Sequence, residues 1–175
     1  MKKICMIAVG GTIASVETQE GLQPEISSEE ILTYIPEVSG ICQIDTIQLF
    51  NIDSTNLYAK HWKALVECIE ENYEAYDGFV VTHGTDTMAY TAAALSYFIQ
   101  NSRKPIVITG SQITIAAENT DARENREQKV TMHFPVLIIR KLQFLKIIDL
   151  FFTLRNKNRW ESHCFIMIFQ HVCLF

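Results

Sequence analysis

The sequence predicts an α/β fold, a doubly wound (Rossmann- or flavodoxin-like), mostly parallel sheet, and three observations carry that expectation. Short, nearly continuous apolar runs recur through the first 125 residues, as in strands buried on both faces of a sheet. Stretches of helical periodicity separate them, which is the βαβα rhythm of parallel sheets. Each apolar run also gives way to Gly or small polar residues, and open α/β sheets bind ligands beyond the carboxyl ends of their strands.

Taken in order, "KICMIAV" (3–9) predicts a first core strand, closed by the turn Gly10-Gly11. Its apolar part spans about six residues, below the roughly 7 to 15 of a signal-peptide core, so it reads as a strand and not a leader. "SSEEILTYI" places Ser27 three residues before Glu30, a capping-box spacing that opens a short helix, and Pro36 closes it. "IDTIQLF" (44–50) reads as a second strand. In "LYAKHWKALVECIEENYEAY", Trp62, Leu65, Val66, Ile69 and Tyr73 fall on one face of a helix. "GFVVTH" is a third strand, "TMAYTAAALSYFI" an alanine-rich helix and "KPIVITG" a fourth strand.

Composition narrows the function. A chain of 175 residues has room for one domain, or one with an appendage. The net charge of -5 includes no basic stripe, which excludes nucleic acid as a partner class. Five cysteines, odd in number and without a C-x-x-C pair, fit neither a disulfide framework nor a zinc ribbon, and point to a reducing, cytoplasmic setting. The histidines (61, 83, 133, 163 and 171) lack metal-ligand spacing, and there is neither a dinucleotide fingerprint nor a P-loop. The expectation is therefore no metal and no cofactor. Ser111 in "VITGSQI" lacks the G-x-S-x-G of a nucleophile elbow.

The charge balance inverts near Asn125. Residues 1–125 hold 7 Lys+Arg against 17 Asp+Glu, and residues 126–175 hold 8 against 3. Every Gly and Ala lies in the first segment, while seven of the ten Phe lie in the second. In "FPVLIIRKLQFLKIIDLFFTL", Arg140, Lys141, Lys146 and Asp149 each cost about 2.5–3.5 kcal/mol at a bilayer centre, which argues against a membrane span. A buried helix or an unpaired, aggregation-prone stretch is expected there. The expected division is an incomplete α/β domain over 1–125 and a divergent, out-of-frame or otherwise non-native tail over 126–175. The coding DNA tests it: the reading fails if neither alternative frame continues the domain.

Four strand ends converge on one expected crevice: Gly10-Gly11-Thr12, Asp53-Ser54-Thr55, Gly84-Thr85-Asp86 and Gly110-Ser111-Gln112. Singly, each has a structural explanation. Thr12 suits a turn, Asp86 a helix N-terminus, and His83 packing at a strand end. Together they suit a threonine nucleophile, which needs an activating group within hydrogen-bond reach. Thr85-Asp86 supplies a second hydroxyl and a carboxylate.

At "GGTIAS" (10–15), "DST" (53–55), "YDGFVVTHGTDTMAYTAAALS" (76–96) and "KPIVITGSQ" (104–112) the sequence resembles the bacterial L-asparaginases, in particular the type I cytoplasmic branch. The resemblance covers residues 1–125 or so. It implies hydrolysis of L-asparagine to L-aspartate and ammonia without a cofactor, by an enzyme that assembles as a dimer or tetramer. It makes Thr12 the nucleophile and Thr85-Asp86 the second threonine and its carboxylate, with Asp86 gripping the substrate's α-amino group. Asp53 and Ser54 hold the amino acid's charged end.

The amidase-like subunit of a tRNA-dependent amidotransferase shares these motifs and is the alternative enzyme, expected to carry a further N-terminal domain. An inactive fragment is the non-enzyme alternative. The family's loop after the first threonine often holds a tyrosine, where "VETQEGLQP" has Leu22. Its relay is completed by a lysine beyond residue 125, a role that Lys141, Lys146 and Lys157 do not fill by motif. The chain alone is accordingly expected to hydrolyse little or no asparagine.

Overall fold

The computed structural model describes residues 1–19, 21–118, 120 and 122, and the strand at 166–169. Five parallel strands form the main sheet: β1 (Lys3–Gly10), β4 (Gln43–Ile52), β5 (Gly78–Thr82), β6 (Ile106–Thr109) and β7 (Ile166–Phe169). Their spatial order is β4-β1-β5-β6-β7. A separate antiparallel hairpin, β2 (Ser15–Thr18) and β3 (Gly21–Pro24), follows the first strand.

Alternating side chains of the buried strands feed two cores. Ile4, Met6, Val80 and Val107 pack with Ile13, Ala14 and Ile31, the last from helix α1 (Ser28–Thr33). Cys5, Ile7, Phe79, Val81, Ile106 and Ile108 pack on the other face. There they meet Leu65 and Ile69 of helix α2 (Ala59–Glu71) and Met88 and Leu95 of helix α3 (Met88–Phe98). Burying each such large apolar side chain contributes about 1.5–3 kcal/mol. Helices thus cover both faces, and the fold is doubly wound as expected.

The capping box forms as its spacing requires: Glu30 N–H donates to Ser27 Oγ at 3.2 Å, and Ser27 N–H to Glu30 Oε2 at 2.8 Å. The bond from the Ser27 N–H, helped by the Ser27 side chain, holds the Glu30 carboxyl below the ordinary carboxylate range. The hairpin replaces an expected loop. Its short strands are joined by a turn in which Thr18 Oγ1 donates to Gly21 O at 2.7 Å, and the next residues are fixed by Glu25 and Ile26 N–H to Ala14 O.

Strand β7 pairs with β6 from Ile106↔Ile166 to Thr109↔Phe169. These four residues of the segment read as a divergent tail thus form a paired strand. The expected helix or unpaired stretch at 134–154 and the three tail lysines lie outside the described residues.

Candidate active site

The chain leaves β1 toward the α1 face and leaves β5 toward the α3 face, so the strand order switches direction between these two neighbours. Open α/β sheets form their binding crevice at such a point, outside the strands' carboxyl ends. Thr12 begins the turn after β1, and Thr85 lies in the turn after β5.

The two turns touch through their glycines. Gly11 has φ 85°, and a Cβ there would come within 2.2 Å of Gly84 Cα. A Cβ on Gly84 would in turn meet Ser54 Oγ at 2.5 Å. Only residues without side chains permit this approach, and the two glycines bring the backbones preceding Thr12 and Thr85 together. The fourth strand end joins them, since a Cβ on Gly110 would lie 2.3 Å from His83 O and 3.5 Å from Thr85 Cγ2.

Around this contact the five expected residues have different surroundings. Thr12 is half-buried, and Thr85 and Ser54 are buried. Asp53 and Asp86 are exposed. Asp53 Oδ1 accepts from the N–H and Oγ1 of Thr55, both at 2.8 Å, and so caps the short turn Ser54–Asn56. Asp86 precedes Thr87, the residue that starts α3, and Thr87 Oγ1 donates to Ser54 O at 2.8 Å. The structure therefore gathers Thr12, Ser54 and Thr85 at one contact and sets the two carboxylates at its exposed margin.

Ser54 Oγ and Thr82 Oγ1 are buried and have no hydrogen-bond partner among the described residues. Such a group ordinarily costs about 1–3 kcal/mol, so an orphaned hydroxyl at a sheet's carboxyl edge is a candidate ligand contact. The Gly11 N–H, by contrast, is spent on Ile52 O at 3.2 Å and is not available to a bound group. Ser111 is also committed, its Oγ donating to Ile113 O at 2.6 Å.

Sequence reasoning missed two features. The loop after β6 clamps the Thr12 turn: Ile115 N–H donates to Ile13 O at 3.2 Å, and Thr114 Oγ1 to Ser15 O. His83 is fully buried, with Nδ1 at 2.7 Å from Gly84 O and Nε2 at 2.8 Å from Thr91 Oγ1. Trp62 Nε1–H donates to the same Thr91 hydroxyl at 3.0 Å. Burial lowers the His83 pKa from the ordinary 6.5, opposed by the bond to Gly84, and the ring is neutral at pH 7. The packing role expected for His83 is thus refined to a hydrogen-bonded one. A Thr inside an alanine-rich helix, one helix away from a Trp, was the available signal.

A family model described as "Asparaginase, N-terminal" matches residues 3–133. The chain belongs to the asparaginase family. It is 38% identical over 134 residues to an L-asparaginase of Thermococcus kodakarensis, a match covering 74% of this chain and 40% of that one. One subunit of the glutamyl-tRNA(Gln) amidotransferase of Saccharolobus islandicus is 37% identical over 132 residues, covering 74% and 30%. In structure the chain is similar to L-asparaginase I of Vibrio cholerae, with TM-score 0.62 and 36% identity, over 69% of this chain and 37% of that one. The asparaginase-family sequence here thus spans less than half the length of these relatives. Among the described residues, no helix is long and apolar enough to cross a membrane.

Proposed function

We propose that this crevice is the nucleophile-bearing part of an amide-hydrolysing active site, and that its substrate is L-asparagine. The observation that carries the reading is the Gly11–Gly84 contact, which brings the turns bearing Thr12 and Thr85 together at the switch point of the sheet. In the proposed reaction Thr12 Oγ attacks the side-chain amide carbon, and its proton passes by way of Thr85 and a basic group to the departing nitrogen. The C–N bond breaks, ammonia leaves, and an ester of Thr12 remains. Water then cleaves the ester, giving L-aspartate and restoring the hydroxyl.

A zwitterionic amino acid needs a carboxylate for its ammonium and donors for its carboxylate. Asp86 and Asp53 at the exposed margin suit the first need, and the unpartnered Ser54 hydroxyl suits the second. Thr85 is buried beside it. Lys2, Lys3 and Lys104 are occupied elsewhere, with Asp77, with Asp45 and with Tyr73 O, and Lys60 and Lys63 are exposed on α2, the latter beside Glu67. We infer that the amine of the relay comes from outside the described residues, from the family's second half or a partner copy in a homo-oligomer. A cytoplasmic setting agrees with the buried thiols of Cys5 and Cys42, which desolvation pushes up to about 12 and about 11.

The test is thermal unfolding of the full chain with L-aspartate at pH 7. A preformed site raises Tm with aspartate concentration, and Asp86→Ala removes the shift; no shift at concentrations of about 10 mM overturns the reading. Ammonia release should stay far below about 1 per second, the lower end of ordinary enzymes, and Thr12→Ala should abolish what remains. The similarity to a glutamyl-tRNA(Gln) amidotransferase supports a second reading, in which the amide is that of glutamine. Larger stabilisation by L-glutamate than by L-aspartate would favour it.

A further inference from the structure

His83 takes no part in the proposed hydrolysis, yet both its ring nitrogens are hydrogen-bonded inside the protein. The direction of each bond follows from donor chemistry. An indole N–H only donates, so the Thr91 oxygen accepts from Trp62, and its own proton is free to point to His83 Nε2. A carbonyl only accepts, so His83 Nδ1 carries the proton given to Gly84 O. The chain of bonds runs from α2 through α3 to the turn after β5, linking three elements that are distant in sequence.

We propose that His83 is a positioning residue of this site: locked as the Nδ1–H tautomer by Thr91 and Trp62, it holds the Gly84 carbonyl and so sets the turn that presents Thr85 and Asp86. The proposal rests on the amide-hydrolase reading for what the turn presents, and on hydrogen-bond geometry for how it is held. Gly84 is where such control matters most. It touches Gly11 on one side and Ser54 on the other, so a shift of a few tenths of an ångström displaces the surroundings of Thr12, Ser54 and Thr85 together. With both nitrogens committed, the ring has no lone pair left for the Thr85 hydroxyl and acts through Gly84. Its lowered pKa agrees with an uncharged ring in this role.

The full chain tests it in three measurements. Nitrogen-15 NMR of the imidazole at pH 7 should show a protonated Nδ1 and a bare Nε2. Calorimetric titration with L-aspartate should show His83→Ala weakened about tenfold, the loss expected for one buried hydrogen bond, and His83→Asn within about threefold of the parent because it keeps a donor near Nδ1. Thr91→Val, which preserves shape and removes the hydroxyl, should shift the backbone amide resonances of Gly11 and Thr85.

An Nε2–H ring, an Asn variant no better than Ala, or unmoved Gly11 and Thr85 resonances would each overturn the proposal. A parent chain with the Nδ1–H ring and the Thr91→Val shifts that binds no aspartate would support the held turn and overturn the hydrolase reading instead.

Discussion

The two edges of the main sheet are built on opposite principles. At the amino edge, charged groups find partners: Lys2 Nζ lies 3.0 Å from Asp77 Oδ1, and Lys3 Nζ 2.8 Å from Asp45 Oδ2. Tyr76 OH donates to the same Asp45 at 3.1 Å, and the Lys3 ammonium stands 4.7 Å from the centre of the Tyr76 ring. At the carboxyl edge, Ser54 and Thr82 bury hydroxyls without a described partner, and Gly11 and Gly84 touch where side chains cannot fit. The same strands make both edges. One edge satisfies its polar groups for stability, while the other leaves groups unsatisfied and close together, as a site awaiting a ligand does.

The largest effect should come from breaking the glycine contact. Gly11→Ala places a methyl 2.2 Å from Gly84 Cα at a φ of 85°, with backbone on both sides and no flexible side chain to yield. We expect a loss of about 2–4 kcal/mol in urea-unfolding stability, together with loss of aspartate binding. Gly21→Ala is the control. It has a φ of 106° but open space around the new methyl, so strain alone should cost about 1 kcal/mol and leave binding intact. Equal losses for the two variants would show that the turn contact contributes nothing beyond backbone conformation.

Next in size is a change of opposite sign. Ser54→Ala removes a buried hydroxyl that has no described partner, so the unbound protein should gain up to about 1 kcal/mol while its affinity for aspartate falls. Stability and binding moving in opposite directions is the signature of a group kept for a ligand. A Ser54→Ala chain that is both less stable and unchanged in binding would place the hydroxyl among ordinary structural groups.

How much of this was legible beforehand depended on the range of the interactions. The Ser27–Glu30 capping box spans three residues and was read from spacing alone. The strands β1, β5 and β6 announced themselves as apolar runs, because a strand covered on both faces has no polar side to interrupt it, while the edge strand β4 mixes polar and apolar residues and is nowhere fully buried. Thr12, Ser54 and Thr85 were visible as small polar residues at strand ends, though not the glycine contact that gathers them. The hairpin β2–β3 was not legible, since its four-residue strands alternate weakly and the chain after it is anchored to Ala14 by backbone bonds. Trp62, Thr91 and His83 were opaque for the same reason: their contact exists only once α2 and α3 pack on one face.

The smallest effects concern acid, and there the two edges should separate by pH. His83, at the carboxyl edge, has its pKa lowered from 6.5 by burial, so below that pH the unfolded chain takes up a proton that the folded chain refuses. Its share of stability is present above pH 6.5 or so and is lost as pH falls toward the lowered folded value. Asp45, at the amino edge, is held below its ordinary 3.8 first by the hydrogen bond from Lys3. Its share is present above the unfolded value and is lost only as pH falls through the folded one.

Stability measured by urea midpoint should therefore decline in two steps, the first below the ordinary histidine value of 6.5 and the second below the ordinary aspartate value of 3.8. His83→Asn should remove the first step and leave the second. Asp45→Asn should leave the first step and shrink the second, to which the Glu30 cap also contributes, and should cost little at pH 7, because Lys3 and Asp45 are more than a third exposed and largely screened. An acid profile in which Asp45→Asn erased the earlier step would mean that the buried ring is not the group titrating there.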